Sequence, residues 1–319
     1  MHAIGVDIGG TKIAVGVVDE QGKIVSKTRR KTQPQDAGSI DAAIADAVTE
    51  LAREYEFHAV GVAAAGFVSS DRARVLFAPN IAWREYPLAD KVSALINRSD
   101  ITVVVENDGN AAGWAEYKYG AGRDVKNMVM LTIGTGLGAA MVVDGNLVRG
   151  EYGFGAELGH FRVVPGGHPC GCGHRGCWEQ YASGSALVRE AQRAGVERPV
   201  RAATLLELAG GNVAEISGPM VTKAAVDGDE LGIELLSELG SWIGQGCASL
   251  AAVLDPALFV VGGGVIGAGD LMLEPARVAY NDYLPARGHR PVVPIVAADM
   301  GNDAGIVGAA ALAREATGE

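Results

Sequence analysis

One supersecondary unit occurs twice in this chain, about 125 residues apart, and that limits its fold more than any other feature. In the first copy the apolar run Ala3–Val6 leads through Asp7-Ile8-Gly9-Gly10-Thr11-Lys12 into a second apolar run, Ile13–Val18. The polar turn Asp19–Gly22 follows, then an alternating stretch from Lys23 to Arg30. Alternation and turn chemistry of this kind predict three strands in succession. The second copy runs Met128–Ile133, Gly134-Thr135-Gly136-Leu137-Gly138, Ala139–Val143, Asp144-Gly145-Asn146 and Leu147-Val148. A single duplication over so long a period excludes a solenoid.

The segments between and beyond the copies supply helices and further strands. Ile40, Ala43, Ile44, Ala47, Val48 and Leu51 keep the three-four rhythm of a buried helix face, with Ser39 as the expected cap. Val60–Ala64 and Ile101–Val105 read as buried strands. Gly184–Leu254 reads as mostly helical, with Cys247 a core residue, before a strand at Leu258–Val261 and a capped last helix, Ala304–Glu315. Strands mixed with helices over 319 residues predict an α/β fold of two domains.

Composition narrows the function classes. Twenty-seven basic against 38 acidic residues leave a net charge of −11, which repels phosphate backbones and anionic lipid, so neither nucleic acid nor membrane is an expected partner. No apolar run reaches spanning length, and Met-His-Ala-Ile-Gly lacks the character of a secretory leader. Four cysteines do not make a disulfide framework for this length, so a cytoplasmic location is expected.

The forty-five glycines fall where backbone must come close to something. Gly9, Gly10 and Thr11 with Lys12 in one turn, and Gly134, Thr135 and Gly136 in the other, present N–H groups and a hydroxyl suited to phosphate. Neither is a Walker loop or a dinucleotide fingerprint, because each runs into a strand. Asp7 ends the first strand, where it suits a metal-bound water. Gly262-Gly263-Gly264 offers a third close approach, suitable for a flat ring and ribose. Glu106-Asn107-Asp108-Gly109-Asn110 follows the apolar strand Val103–Val105 and opens a helix expected at Ala111–Tyr119, the usual place for a site in α/β folds, where a carboxylate can take a proton from a hydroxyl.

Cys170, Cys172 and Cys177 with one imidazole complete a tetrahedral zinc set with no open position, hence a structural metal. The sequence leaves His160 and His174 as alternative fourth ligands. Glu157 and Glu179 flank the cluster, and carboxylates held there suit a hydroxyl-rich ligand.

Together these motifs resemble the ROK family of repressors and sugar kinases, and within it the actinobacterial-type ATP-dependent glucokinases. The resemblance spans the chain, from Asp7–Lys12 through Pro79-Asn80-Ile81, Glu106-Asn107-Asp108, Leu131–Gly138 and Glu157–His160 to Cys170–Glu179 and the glycine triplet. It implies a two-domain hexokinase/actin-like fold with a cleft between domains. The first domain would hold residues 1–110 plus 302–319, the second 111–301 with the zinc loop at about 160–177. It implies transfer of the γ-phosphoryl group of MgATP to the 6-hydroxyl of glucose, with Asp108 as base. Gly66, Asn80, Asn107, Glu157, His160 and Glu179 would be sugar ligands, His160 serving zinc with its other ring nitrogen. Where many members carry Pro-Gly in the sugar-side loop, this chain has Ala65-Gly66. The resemblance also implies a homodimer or homotetramer. N-acetylglucosamine, N-acetylmannosamine and fructose remain alternative acceptors and polyphosphate an alternative donor. A repressor would need a DNA-binding segment ahead of Ala3 and suits the net charge of −11 poorly.

Overall fold

A computed structural model describes residues 1–318. The first copy of the repeat forms β1 (His2–Ile8), β2 (Lys12–Val18) and β3 (Ile24–Lys31), followed by α1 (Ala37–Leu51) and β4 (Phe57–Ala64). Next come β5 (Phe67–Val68), β6 (Val75–Phe77), β7 (Arg84–Tyr86), α2 (Leu88–Ile96), β8 (Thr102–Asn107) and α3 (Asp108–Tyr119). The second copy forms β9 (Met128–Ile133), β10 (Leu137–Val143) and β11 (Asn146–Leu147). Helices α4 (Gly184–Glu197), α5 (Ala203–Leu208), α6 (Gly218–Val226) and α7 (Glu230–Leu254) precede β12 (Leu258–Gly262). The chain ends with α8 (Asp270–Tyr283), β13 (Ile295–Ala297) and α9 (Ala304–Ala316).

The duplication is carried into the sheets. One has the order β3-β2-β1-β4-β8 and the other β11-β10-β9-β12-β13. In the first, β1 pairs antiparallel with β2 and parallel with β4, and β4 parallel with β8. In the second, β12 runs parallel to both β9 and β13. The fold is α/β, as the repeat predicted.

The chain divides into two compact units. One holds Met1–Val125, Ala140–Ala156 and the C-terminal residues from Asp299; the other holds Lys126–Ala139 and Glu157–Ala298. The boundary drawn from sequence at 110 falls inside α3, which stays in the first unit together with Ala140–Ala156.

In the first unit, α1 and α2 cover one sheet face, where Ile40, Ile44 and Val48 meet Ile4, Val6, Val60 and Val62. Helix α9 covers the other through Ile306, Ala310 and Ala313. It lies so close that a Cβ on Gly5 or Gly61 would overlap the carbonyl oxygens of Ile306 and Ala309, which accounts for its glycine and alanine content.

Three local readings are corrected, and one small sheet is added. Asp36, rather than Ser39, caps α1, its carboxylate accepting from Ser39 N at 3.0 Å. Strand β8 continues through Asn107, so α3 starts at Asp108. Helix α9 has no side-chain cap and grows from a 3₁₀ turn, Gly301–Asp303. The small sheet β5-β6-β7 was not foreseen, because two- and three-residue strands leave no periodic signal. Cys247 is fully buried in α7, as expected. No helix among the described residues is long and apolar enough to cross a membrane.

Candidate active site

In the first unit, the candidate groups gather at the ends of β1, β4 and β8. Asp7 is the last residue but one of β1, paired in register with Ala63 of β4. Burial raises its carboxyl above the usual range, with Lys12 and Lys27 opposing the rise and Asp303 adding to it. A Cβ on Gly305 would come within 2.9 Å of that carboxyl, so the first turn of α9 sits directly against it. Beyond Asp7 the chain turns tightly: Gly9 N donates to Lys12 O at 2.9 Å, and Thr32 Oγ1 donates to Gly9 O at 2.8 Å. Gly10 and Thr11 are exposed at the tip, and a Cβ on Gly10 would meet nothing within 4 Å.

Asn107 caps α3. Its Oδ1 accepts from Asn110 N at 3.0 Å, and its Nδ2 donates to Gly66 O at 3.1 Å. Gly66 itself is closely packed, since a Cβ there would lie 2.5 Å from Phe77 O and 3.1 Å from Ala78 Cα. Asn80 is exposed in the bend after β6, two residues beyond Ala78. Asp108 opens α3, reached by solvent yet with enough protein around its carboxyl to push the acid up to about 6. Lost hydration is the main cause, the Gly109 N–H at 2.9 Å opposes it, and the charge of Asp7 adds to it.

In the second unit the corresponding turn is pinned from behind. Gly134 N donates to Gly136 O at 3.0 Å, and the first N–H groups of α4, on Gly184 and Ser185, donate to the carbonyls of Gly134 and Thr135 at 2.7 and 3.3 Å. Leu137 N donates to Glu179 Oε2 at 3.2 Å, and a Cβ on Gly136 would overlap that carboxylate. On the other side of the same residue, a Cβ on Gly159 would overlap Leu137 O. The turn Leu158–His160 that follows Glu157, the Glu179 carboxylate and the glycine turn therefore converge on Leu137.

Gly134, Thr135 and Gly264 line a cavity of about 910 Å³ whose far wall is built by α4 and α6, including Ser185, Gln192, Thr222 and Lys223. The wall residues were missed in the sequence, where they look like ordinary polar helix positions. The glycine triplet divides by role. Gly263, at φ +93°, lies against Ile133, while a Cβ on Gly262 would reach Ala298 and Met130 at 3.0 and 3.1 Å. Only Gly264 of the three faces the cavity, with nothing within 4 Å of its Cβ position.

His160, Cys170, Cys172 and Cys177 place one ligand atom each within 4.8 Å of one another. His174 is not in that group among the described residues; it serves through its carbonyl, which accepts from Cys170 N at 2.8 Å. His160 Nδ1 faces Cys170 Sγ at 3.6 Å, and the Cys172 and Cys177 sulfurs are also 3.6 Å apart. A tetrahedron of thiolates about 2.3 Å from one ion has edges of roughly 3.8 Å, so the set fits a metal. Burial would raise the Cys172 thiol, but the His174 N–H and the neighbouring thiols outweigh it and hold it below the usual value. Burial pushes Cys177 up to about 12. The loop is anchored by Trp178, whose Nε1 donates to Trp242 O at 2.9 Å and whose ring leaves room only for glycine at 246. Glu179 follows directly on that anchor.

The chain is similar to known proteins along nearly its whole length. The ROK family profile matches residues 3–316. Over 312 residues the chain is 49% identical to a glucokinase of Streptomyces coelicolor, covering 98% of this chain and 97% of the relative. It is 33% identical to an N-acetylmannosamine kinase of Yersinia pestis, with 98% of each chain covered. A crystal structure of a ROK family glucokinase from Streptomyces griseus, in complex with glucose and AMPPNP, superposes with a TM-score of 0.88 at 48% identity, covering 99% of this chain and all of that one.

Proposed function

The chain belongs to the ROK family, and we propose that it is a glucokinase, transferring the γ-phosphoryl group of MgATP to the 6-hydroxyl of glucose. The observation that carries this reading is the 49% identity, end to end, to a glucokinase, joined to an Asp108 placed at a strand end with a carboxyl near 6. A base poised close to neutral pH is deprotonated in the cell yet still binds a proton well.

Asp108 orients the 6-hydroxyl and takes its proton as the oxygen attacks the γ-phosphorus. Asn107, Gly66, Asn80, Glu157, His160 and Glu179 hold the other hydroxyls. The two glycine turns, at Gly9–Lys12 and Gly134–Gly136, cradle phosphates through N–H groups and the Thr11 and Thr135 hydroxyls. The cavity above Gly264 takes the nucleoside. Magnesium bound with ATP near Asp7 supplies neutralisation of phosphate charge. His160, Cys170, Cys172 and Cys177 hold a structural zinc that keeps Glu157, His160 and Glu179 in place. A cytoplasmic location belongs to the same reading, since ATP is an intracellular donor. A homodimer or homotetramer does too, supported by the exposed apolar side chains Val253, Val278 and Tyr283.

A coupled assay of glucose, N-acetylmannosamine, N-acetylglucosamine and fructose against ATP, GTP and polyphosphate tests it. The highest kcat/KM should fall on glucose with ATP. A higher value for another sugar or donor overturns the assignment.

A further inference from the structure

Glu106 has no part in the chemistry just described, yet its carboxylate is only 3% exposed and closely surrounded by donors. Oε2 receives Arg149 Nε at 2.8 Å and Nη2 at 2.7 Å, with Arg72 Nε as a second cation at 3.4 Å. Oε1 receives Asn110 Nδ2 at 3.0 Å and Asn107 N at 3.2 Å. A buried carboxylate between two guanidiniums is costly to desolvate, and stability alone does not require it.

What it joins is more telling. Through Asn107 and Asn110 it grips the start of α3, the turn that presents Asp108. Through Arg149 it grips the strap 149–156, which leads straight into Glu157. The strap is otherwise tightly determined: Gly155 N donates to Arg149 O at 2.8 Å, and Phe154 packs on Phe67 at 4.9 Å between ring centres. A Cβ on Gly153 would overlap Val68 O. Ala156 hands the chain on to Glu157 from a left-handed φ of +69°, a conformation that a non-glycine residue holds only where its surroundings enforce it.

We infer that Glu106, with Arg149 and Arg72, is a positioning residue for sugar binding: one carboxylate sets both the helix start that carries Asp108 and the strap that delivers Glu157. The inference rests on the assignment of Glu157 as a glucose ligand.

Steady-state kinetics of Glu106→Gln, Arg149→Met and the double variant test it, with Glu157→Gln beside them. Glu106→Gln keeps the shape and the Oε1 acceptor but removes the charge that holds both guanidiniums. Glucose KM should rise roughly tenfold or more in either single variant, as small misplacements do, while ATP KM stays within about twofold. The double variant should be much less than multiplicative. A merely structural role would lower kcat with the folded fraction and leave both KM values alone, and that result overturns the inference. If Glu106→Gln does not fold, Arg149→Met decides, because its side chain is 26% exposed and its loss leaves Glu106 paired with Arg72. A raised glucose KM in Glu157→Gln with an unchanged one in Arg149→Met refutes the positioning role alone. An unchanged glucose KM in Glu157→Gln refutes the sugar-ligand assignment beneath it.

Discussion

Leu137 N donates to Glu179 Oε2 at 3.2 Å. That one hydrogen bond links a carboxylate on the cysteine-rich side of the second unit to the first peptide after the glycine turn. Since a Cβ on Gly159 would overlap the carbonyl of the same Leu137, one residue joins the turn that lines the 910 Å³ cavity to the two segments that carry Glu179 and His160. Proposed sugar and phosphate groups in this unit thus share a backbone support.

Glu179 substitutions should separate these two duties. Glu179→Gln keeps an oxygen for Leu137 N, so glucose KM should rise while ATP KM stays within about threefold. Glu179→Ala leaves the N–H without its partner, a loss of about 1–3 kcal/mol where such a group is buried. Both KM values should then rise. Equal effects of Gln and Ala on ATP KM would show that the bond does not support the turn.

Asp108→Asn keeps size and a hydrogen bond but cannot receive a proton. Its kcat should fall by roughly two decades or more, with glucose affinity much less changed. Near-native turnover would leave Asp108 a helix-start residue only.

The pH dependence follows from the same raised acid. In the wild type, kcat/KM for glucose should fall below about pH 6, where Asp108 takes up a proton. Stability runs the opposite way. The folded acid at about 6 binds its proton more tightly than the unfolded one near 4, so its contribution is complete below about 4 and is lost as pH rises through 6. Asp108→Asn, neutral throughout, should therefore melt higher than wild type at pH 7.5 and no higher at pH 4. A lower melting temperature at pH 7.5 would contradict the raised acid.

Cys172→Ser should lose stoichiometric zinc on metal analysis and raise the glucose Kd, because Glu157, His160 and Glu179 lose their common anchor. Native protein without zinc, or undiminished activity in a metal-free Cys172→Ser enzyme, would refute that role.

The glycine triplet offers a paired control. Gly263→Ala needs a left-handed conformation and pushes a methyl into Ile133. It should destabilise by at least about 1–2 kcal/mol, read as a lowered Tm. Gly264→Ala has free space and should leave Tm unchanged while raising ATP KM. Reversed outcomes would exchange the two roles.

The legible parts of this protein are those whose information lies within a few residues. Met128–Ile133 appears as a strand over the very residues its apolar run marks, and β3 alternates between half-buried and exposed along its length. Cys170, Cys172 and Cys177, close in sequence, already mark a set of thiols that could hold a metal. Short-range patterns misled only at ends, as at Ser39 and Asp36, where either neighbour could supply the capping oxygen.

What the sequence by itself determined was therefore the duplicated α/β frame, the two glycine turns, the thiol cluster and the polar Glu106-Asn107-Asp108 segment between a buried strand and a helix. Only the tertiary structure decided that His160 rather than His174 joins the thiols, that Gly264 rather than Gly262 or Gly263 meets the cavity, and that α4 and α6 wall it. It alone decided that Glu106 holds Arg149, 43 residues on. The reason is physical: strand and turn preferences are set by neighbours along the chain, whereas a metal ligand, a cavity wall or a buried ion pair depends on which distant segments packing brings within a few ångströms.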